Sequence, residues 1–241
     1  MSILTRAYRS AMWRTATPRA RLMEMLYRIG RFPPGSRRWL IQREARYGGY
    51  VTGVPRQKVS ERDSRTKAEL AIGGMSGGDR MLHHGYGETY ARHLAPFIGR
   101  DDVVLAEVGI LKGSGLAIWC DLFPDGEVHG FDIDLGHTRS NWSALKSAGA
   151  FAESEPRLHV FDQLGDNAEL WAEWDKRFDV VIDDGLHSEE SILNTIDNFG
   201  PRLKDRFVYF IEDFTITPKV RARAEQLGTV WSEGQFTVIS S

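Results

Sequence analysis

Acidic side chains follow four apolar segments of this sequence, each at the point where a predicted strand ends. They are Glu107, Asp132, the pair Asp183-Asp184 and the pair Glu212-Asp213. In an open α/β sheet, ligands bind outside the carboxyl ends of the strands. The last two of these strands are expected to be neighbours, and three carboxylates brought together there repel one another unless a cation lies between them. An oxygen-only site suits Mg²⁺, and less strongly Mn²⁺ or Ca²⁺, whereas separately solvated loop acids are the alternative.

A glycine-containing loop follows the first of these strands. It reads Glu107-x-Gly109-x-x-x-Gly113-x-Gly115, which is neither the dinucleotide fingerprint nor a phosphate-binding P-loop. Glycines let the backbone approach a ligand closely, and the acidic residue suits a cationic or hydroxyl-bearing ligand. Asp132, at the end of the next strand, is placed to accept hydrogen bonds from a ribose diol. An ordinary strand-to-helix turn with loose glycines is the alternative.

The elements that position these residues alternate between strand and helix. Apolar runs predict strands over 103–108, 128–133, 158–161, 177–184 and 207–211, and an antiparallel hairpin over 230–239. Helical patterns start at 88 and 116 and cover 167–174, 188–203 and 218–227. This alternation predicts an α/β fold. We expect a doubly wound, Rossmann-like sheet of seven strands with a terminal antiparallel hairpin and an N-terminal helical extension.

The stretch 103–134 resembles motifs I and II of class I S-adenosylmethionine methyltransferases. The resemblance implies that four residues line the methionine end of the cofactor, namely Glu107, Gly109, Gly113 and Ser114. It implies further that Asp132 holds the ribose. After the third strand, Asp162 and Gln163 correspond to positions beside the adenine in that family, although an ordinary loop aspartate is an equal interpretation of Asp162.

Residues 79–90, DRMLHHGYGETY, resemble a segment of one branch of this family, the macrocin-type and mycinamicin-type sugar O-methyltransferases. That segment has the form Asp-Lys-x-x-x-His-x-Tyr-x-x-x-Tyr, so Arg80 stands where lysine is usual, which weakens any role assigned to this cation. The resemblance implies that His84 and Tyr86 contact the acceptor. A capped helix with exposed histidines is the alternative interpretation.

The same branch carries Asp-Gly-x-His after its fourth strand and Glu-Asp after its fifth. Carried over, the resemblance implies that Asp184, Glu212 and Asp213 hold Mg²⁺ and that His187 is the base. The resemblance covers roughly residues 79–214. Leu186 replaces a commoner small residue, and nothing in the sequence explains that change.

Charge and composition divide the chain unevenly. The net charge is −2, yet residues 1–60 hold thirteen Lys/Arg and two acidic residues, which gives this part +11 and the remainder −13. We predict a basic helical extension over 1–60, a linker or lid over 61–78 and a methyltransferase domain over 79–241. The extension is expected to pack against the domain or a partner subunit, with a transit peptide or membrane-surface contact as alternatives. The single cysteine, Cys120, fits a reducing compartment, and no apolar run is long enough to span a membrane.

The predicted function is metal-dependent transfer of a methyl group from S-adenosylmethionine to a saccharide hydroxyl, in the biosynthesis of a glycan or a glycosylated natural product. An O-methyltransferase for a phenol or catechol and a non-catalytic S-adenosylmethionine-binding module are the alternatives. Mere binding needs neither His187 nor the carboxylate trio, so their presence favours an enzyme, although some members of the family carry a hydroxylase label. We expect a cytoplasmic homo-oligomer that binds no nucleic acid.

Overall fold

The computed structural model describes residues 30–48, 79–81 and 84–241, and in these ranges seven strands form one sheet in the order β3-β2-β1-β4-β5-β7-β6. The strands are β1 (Val104–Val108), β2 (Glu127–Asp132), β3 (Arg157–Val160), β4 (Phe178–Asp183), β5 (Leu203–Ile211), β6 (Thr229–Glu233) and β7 (Phe236–Ser240). β1 to β5 are parallel, whereas β7 runs antiparallel between β5 and β6. The predicted doubly wound sheet with its terminal hairpin is confirmed.

Seven α-helices lie in the described residues. They are α1 (Arg37–Tyr47), α2 (Gly87–Leu94), α3 (Ser114–Leu122), α4 (Gly136–Ser147), α5 (Ala168–Ala172), α6 (Glu189–Phe199) and α7 (Pro218–Ala224). α6 is shorter than the predicted 188–203 helix because a 3₁₀ turn containing Pro201 follows it, and a proline cannot continue a helix. β5 consequently begins at Leu203, before the predicted 207.

The sequence patterns did not predict α4. Its twelve residues bury only Thr138 and Leu145, so they lack the recurring apolar positions from which an amphipathic helix is recognised. The helices predicted within residues 2–29, and the predicted linker at 61–78, lie outside the described residues.

The sheet is covered on both faces, as its apolar strands predict. Successive strand residues point to opposite faces, so Leu105 packs in one buried cluster and Ala106 in the other. α1, α2 and α3 contribute to the first cluster, whereas α6 and α7 contribute to the second.

α1 lies inside the predicted extension and packs on the domain. Trp39, Leu40 and Ile41 are buried in the first cluster, and the Tyr47 hydroxyl donates to Asp121 of α3 at 2.5 Å. This part of the extension therefore completes the core, while the domain boundary at 60 stays a prediction. None of the described helices has the length and apolar character needed to cross a membrane.

Candidate active site

The sheet register gathers the predicted carboxylates at one end of the three central strands. Val108 of β1 lies beside Asp183 of β4, and Asp183 lies beside Ile211 of β5. Two backbone bonds extend this pairing past the strand ends, since the Asp184 amide donates to Val108 at 2.9 Å and the Glu212 amide donates to Asp183 at 2.9 Å. Because β1 and β4 lead to different halves of the sheet, the site sits at the topological switch point, where α/β folds bind ligands.

A buried arginine lies between three of these carboxylates. The Arg80 guanidinium is 2.6 Å from Glu107 Oε1, 2.6 Å from Asp184 Oδ2 and 3.3 Å from Glu212 Oε1, and only 6% of its side chain is exposed. The sequence interpretation discounted Arg80, but it provides a cation among the clustered acids. Burial raises the pKa of Asp184 to about 6, and the positive charge of Arg80 is the largest effect that opposes this rise.

Two tyrosines of the 79–90 segment donate to the carboxylates that follow β5. The Tyr86 hydroxyl donates to Asp213 Oδ1 at 2.8 Å, and the buried Tyr90 hydroxyl donates to Glu212 Oε1. His84 Nδ1 lies 3.5 Å from the same Asp213 oxygen. Tyr90 was not predicted as a site residue, although its spacing of four from Tyr86 was a usable signal, because residues four apart lie on one side of a helix.

His187 and Asp213 both have left-handed backbone conformations, with φ of 56° and 52°. Such conformations are uncommon for residues other than glycine and cluster at functional sites. His187 Nδ1 lies 3.1 Å from the Glu212 carbonyl oxygen, which can only accept a hydrogen bond. Nδ1 therefore carries the proton in the neutral ring, and the lone pair is on Nε2, which lies 3.7 Å from Asp184 Oδ1.

Asp184, His187 and Asp213 each offer one potential metal-ligand atom, and these atoms lie within 4.8 Å of one another. The structure thus brings together two of the three predicted metal ligands and the predicted base. The third predicted ligand, Glu212, is 2% exposed at its side chain and engages Arg80 and Tyr90. The ligand set implied by the resemblance stays a prediction.

The glycine loop lies between β1 and α3, as predicted, but protein atoms occupy the space that side chains would need. A Cβ on Gly109 would lie 2.2 Å from the Asp184 carbonyl oxygen, one on Gly113 would lie 2.9 Å from Thr138, and one on Gly115 would meet the Glu107 carboxylate at 2.1 Å. Close packing within the protein therefore accounts for these glycines. Their predicted approach to a ligand stays a prediction.

The other predicted cofactor residues lie around the ends of β1, β2 and β3. Asp132 Oδ2 accepts from the Leu111 amide at 3.0 Å and its Oδ1 accepts from the Asp134 amide at 3.1 Å. Burial raises the pKa of Asp132, and hydrogen bonds from backbone amides oppose that change. Ser114 is buried at the first position of α3.

Gln163 connects the end of β3 to the loop that carries His187. Its amide nitrogen donates to Asp183 Oδ1 and to Thr195, both at 2.8 Å, and its amide oxygen accepts from the Leu186 amide at 2.7 Å. The neighbouring Asp162 accepts from the Leu164 amide at 2.9 Å. Gln163 thus braces the site, whereas the adenine contacts of both residues stay predictions.

Comparison with known proteins identifies the central part of the chain. Residues 106–214 match a family described as a methyltransferase domain. The chain is 32% identical over 163 residues to an 8-demethyl-8-alpha-L-rhamnosyl tetracenomycin-C 2'-O-methyltransferase of Streptomyces olivaceus, which covers 63% of this chain and 38% of that protein. It is 29% identical over 138 residues to an L-olivosyl-oleandolide 3-O-methyltransferase of Streptomyces antibioticus, with 54% and 32% covered. The chain therefore spans about a third of the length of these relatives.

A solved structure shares the fold. The MycE methyltransferase from the mycinamycin biosynthetic pathway, in complex with Mg, SAH (S-adenosylhomocysteine) and mycinamycin VI, superposes with a TM-score of 0.50 at 22% identity. The match covers 66% of this chain and 50% of that one. Residues 106–214 are accordingly similar to a methyltransferase domain, and sugar O-methyltransferases are among the proteins that the chain resembles.

Proposed function

We propose that this protein transfers a methyl group from S-adenosylmethionine to a hydroxyl of a saccharide or glycoside, with the help of a divalent cation. One observation carries the proposal: Asp184, His187 and Asp213 each bring a candidate ligand atom within 4.8 Å of the others, at the switch point of a methyltransferase-like fold. The names of the curated relatives, both sugar O-methyltransferases, and of the MycE complex with a mycinamycin support the choice of acceptor.

The residues present fit a divalent cation. Asp184 and Asp213 supply carboxylate oxygens, the donors that Mg²⁺ prefers, and Glu212 lies next to them in the chain as the predicted third ligand. A bound cation supplies Lewis acidity that stabilises the developing alkoxide of the acceptor. Since Mg²⁺ prefers oxygen to imidazole, the Nε2 atom of His187 is left to act as a base.

His187 moves the proton in this proposal. A saccharide hydroxyl holds its proton tightly, so it attacks a methyl group poorly unless a base removes that proton. The Glu212 carbonyl holds Nδ1 and directs Nε2 towards Asp184, so Nε2 is the atom that takes the proton.

The cofactor-binding residues in the proposal are those predicted from the sequence. Asp132 would hold the ribose, and Glu107, Gly109, Gly113 and Ser114 would line the methionine end. S-adenosylmethionine supplies the methyl group when bound. The loop between β1 and α3 lies beside Asp184, because the Gly109 backbone packs closely against the Asp184 backbone, so residues of this loop would hold the cofactor near the candidate cation ligands.

The acceptor would lie against the 79–90 segment. His84 and Tyr86 are partly exposed, so both can contact a sugar that binds at the surface of this segment. A role in polysaccharide biosynthesis, a cytoplasmic location and a homo-oligomeric state stay predictions, and no nucleic-acid partner is proposed.

A methyl-transfer assay with labelled S-adenosylmethionine tests the proposal. Free sugars, oligosaccharides and glycosides are offered in parallel with phenols and catechols, each before and after EDTA treatment and again after Mg²⁺ is restored. We expect transfer to a saccharide or glycoside that EDTA abolishes and Mg²⁺ restores. Transfer only to phenols or catechols would select the alternative acceptor class, and transfer unaffected by thorough chelation would remove the cation from the mechanism.

A further inference from the structure

We infer that Arg80, Tyr86 and Tyr90 are positioning residues: together they engage one oxygen of each of Asp184, Glu212 and Asp213 and thereby present the other oxygen to a divalent cation. The inference rests on the proposed function and deepens it, since the two tyrosine hydroxyls are given a task other than contact with the acceptor. It follows from which oxygen of each carboxylate is engaged.

Asp184 shows the arrangement most directly. Its Oδ2 atom is fixed by the Arg80 guanidinium at 2.6 Å. Its Oδ1 atom is the one that lies 3.7 Å from His187 Nε2. The two oxygens therefore face different groups, and only Oδ1 is directed towards the proposed cation.

Asp213 is held in the same way by Tyr86. The hydroxyl of Tyr86 donates to Oδ1 at 2.8 Å, and His84 lies 3.5 Å from that same oxygen. Within the described residues, no hydrogen bond or ion pair engages Oδ2 of Asp213. The Tyr86 ring is itself fixed, because it stacks on Phe236 at a centroid distance of 4.2 Å and an angle of 8°.

Glu212 has one oxygen engaged twice. Its Oε1 atom accepts from the Tyr90 hydroxyl and lies 3.3 Å from Arg80 Nε. Tyr90 is fully buried, with its ring 4.5 Å from that of Phe210 and 5.4 Å from that of Trp119. A hydroxyl on a ring held so tightly fixes the carboxylate that it binds.

These anchors prepare the carboxylates before a cation arrives. Like charges held close together repel one another, so without anchors the carboxylates would turn apart and would have to be reordered on binding. Loss of a side chain that hydrogen-bonds to a metal ligand and orients it typically lowers metal affinity by about 10–100-fold. We therefore expect the tyrosine hydroxyls to affect the affinity for the cation and to leave cofactor binding unchanged.

The test measures Mn²⁺ affinity by electron paramagnetic resonance of the free ion, with the full chain and four variants. Tyr86→Phe and Tyr90→Phe remove only the hydroxyls, and Arg80→Lys keeps the charge but loses the forked geometry. Tyr47→Phe is the matched control, since it removes a tyrosine–carboxylate hydrogen bond on α1, to Asp121. Thermal unfolding of each variant confirms that it is folded, and calorimetric titration of S-adenosylhomocysteine reports on the cofactor site.

We expect Mn²⁺ affinity to fall by about 10-fold or more in Tyr86→Phe and Tyr90→Phe, to fall in Arg80→Lys and to stay at the wild-type value in Tyr47→Phe. Wild-type affinity in folded Tyr86→Phe and Tyr90→Phe would overturn the inference while leaving the proposed function intact. A wild-type chain that binds no Mn²⁺ would overturn the inference together with the cation in the proposed function. Equal losses in Tyr47→Phe would assign the effect to general destabilisation and would also overturn it.

Discussion

Replacement of His187 by asparagine tests the proposed base function of His187 while its backbone conformation and its hydrogen bond to Glu212 are kept. His187 has φ of 56°, a conformation that asparagine tolerates better than most residues. The asparagine amide nitrogen can still donate to the Glu212 carbonyl oxygen, which now accepts from Nδ1 at 3.1 Å. His187→Asn therefore removes the Nε2 atom and little else, whereas His187→Ala removes the hydrogen bond as well.

General-base assistance is typically worth about 10²–10⁴ in rate. We therefore expect kcat of His187→Asn to fall by that factor, which corresponds to about 2.7–5.5 kcal/mol of activation free energy. The affinities for S-adenosylhomocysteine and Mn²⁺ should stay within about twofold of wild type. Added imidazole should restore part of the lost rate, because a free base of suitable size can occupy the space left by the ring.

Steady-state kinetics with the acceptor identified by the transfer assay measures this effect, and Mn²⁺ titration of the same protein completes the test. Turnover of His187→Asn close to wild type would refute the role as base and leave cofactor and acceptor proximity as the source of catalysis. A loss of Mn²⁺ affinity as large as the loss of rate would instead make Nε2 a metal ligand, as its position near Asp184 and Asp213 allows.

Three further predictions concern the cofactor site, the loop packing and the pH dependence of stability. Asp132→Asn should weaken the binding of S-adenosylhomocysteine by about tenfold or more, since a hydrogen bond to a charged group is worth about 1.5–3 kcal/mol. Calorimetric titration measures this affinity, and a wild-type value would contradict the assignment of Asp132 to the ribose. Gly109→Ala should lower the free energy of unfolding by more than Gly85→Ala does. Both glycines have positive φ, but a Cβ on Gly109 would lie 2.2 Å from a backbone atom, whereas nothing lies within 4 Å of a Cβ on Gly85. Equal losses of stability in urea unfolding would contradict the packing argument. His129 is buried, and desolvation lowers its pKa to about 4. Between about pH 6.5 and 4, His129 is therefore protonated in the unfolded chain but neutral in the folded chain, so the free energy of unfolding decreases as the pH is lowered. That loss should be about 2 kcal/mol between pH 7 and pH 5 and should shrink in His129→Gln; an unchanged slope in urea unfolding of that variant would exclude His129 as its source.

The sequence was sufficient to predict the sheet and the meeting of acidic side chains at one of its edges. Apolar runs that end in acidic residues predicted the parallel strands, and because neighbouring parallel strands end at the same edge, they also predicted that Asp184 and Asp213 would meet. The hairpin at the end of the chain followed from short alternating segments around Gly234. These inferences succeeded because they depend on the spacing of apolar residues along the chain and on their burial, which are local properties.

The contacts that connect distant segments could not be predicted in this way. Arg80 lies 104 positions from Asp184, and no local pattern reveals that its guanidinium reaches three strand ends. Gln163 was predicted from resemblance to lie beside the adenine, yet its amide spans from β3 to the loop of His187. Helix α4 was missed because its surface is polar, so propensity and tertiary contacts, rather than an apolar stripe, must stabilise it.

The place of β7 in the sheet has a consequence for how the protein matures on the ribosome. β7 is the last strand along the chain, but it lies inside the sheet between β5 and β6, and its first residue, Phe236, supports the ring of Tyr86. During synthesis, β5 therefore has an open edge, and β6 has no partner strand, until residues 236–240 have left the exit tunnel. Unpaired strand edges are prone to wrong association, so the nascent domain is most exposed to misassembly just before its final strand emerges. The stacking of Phe236 on Tyr86, which supports Asp213, likewise forms only when β7 has joined the sheet.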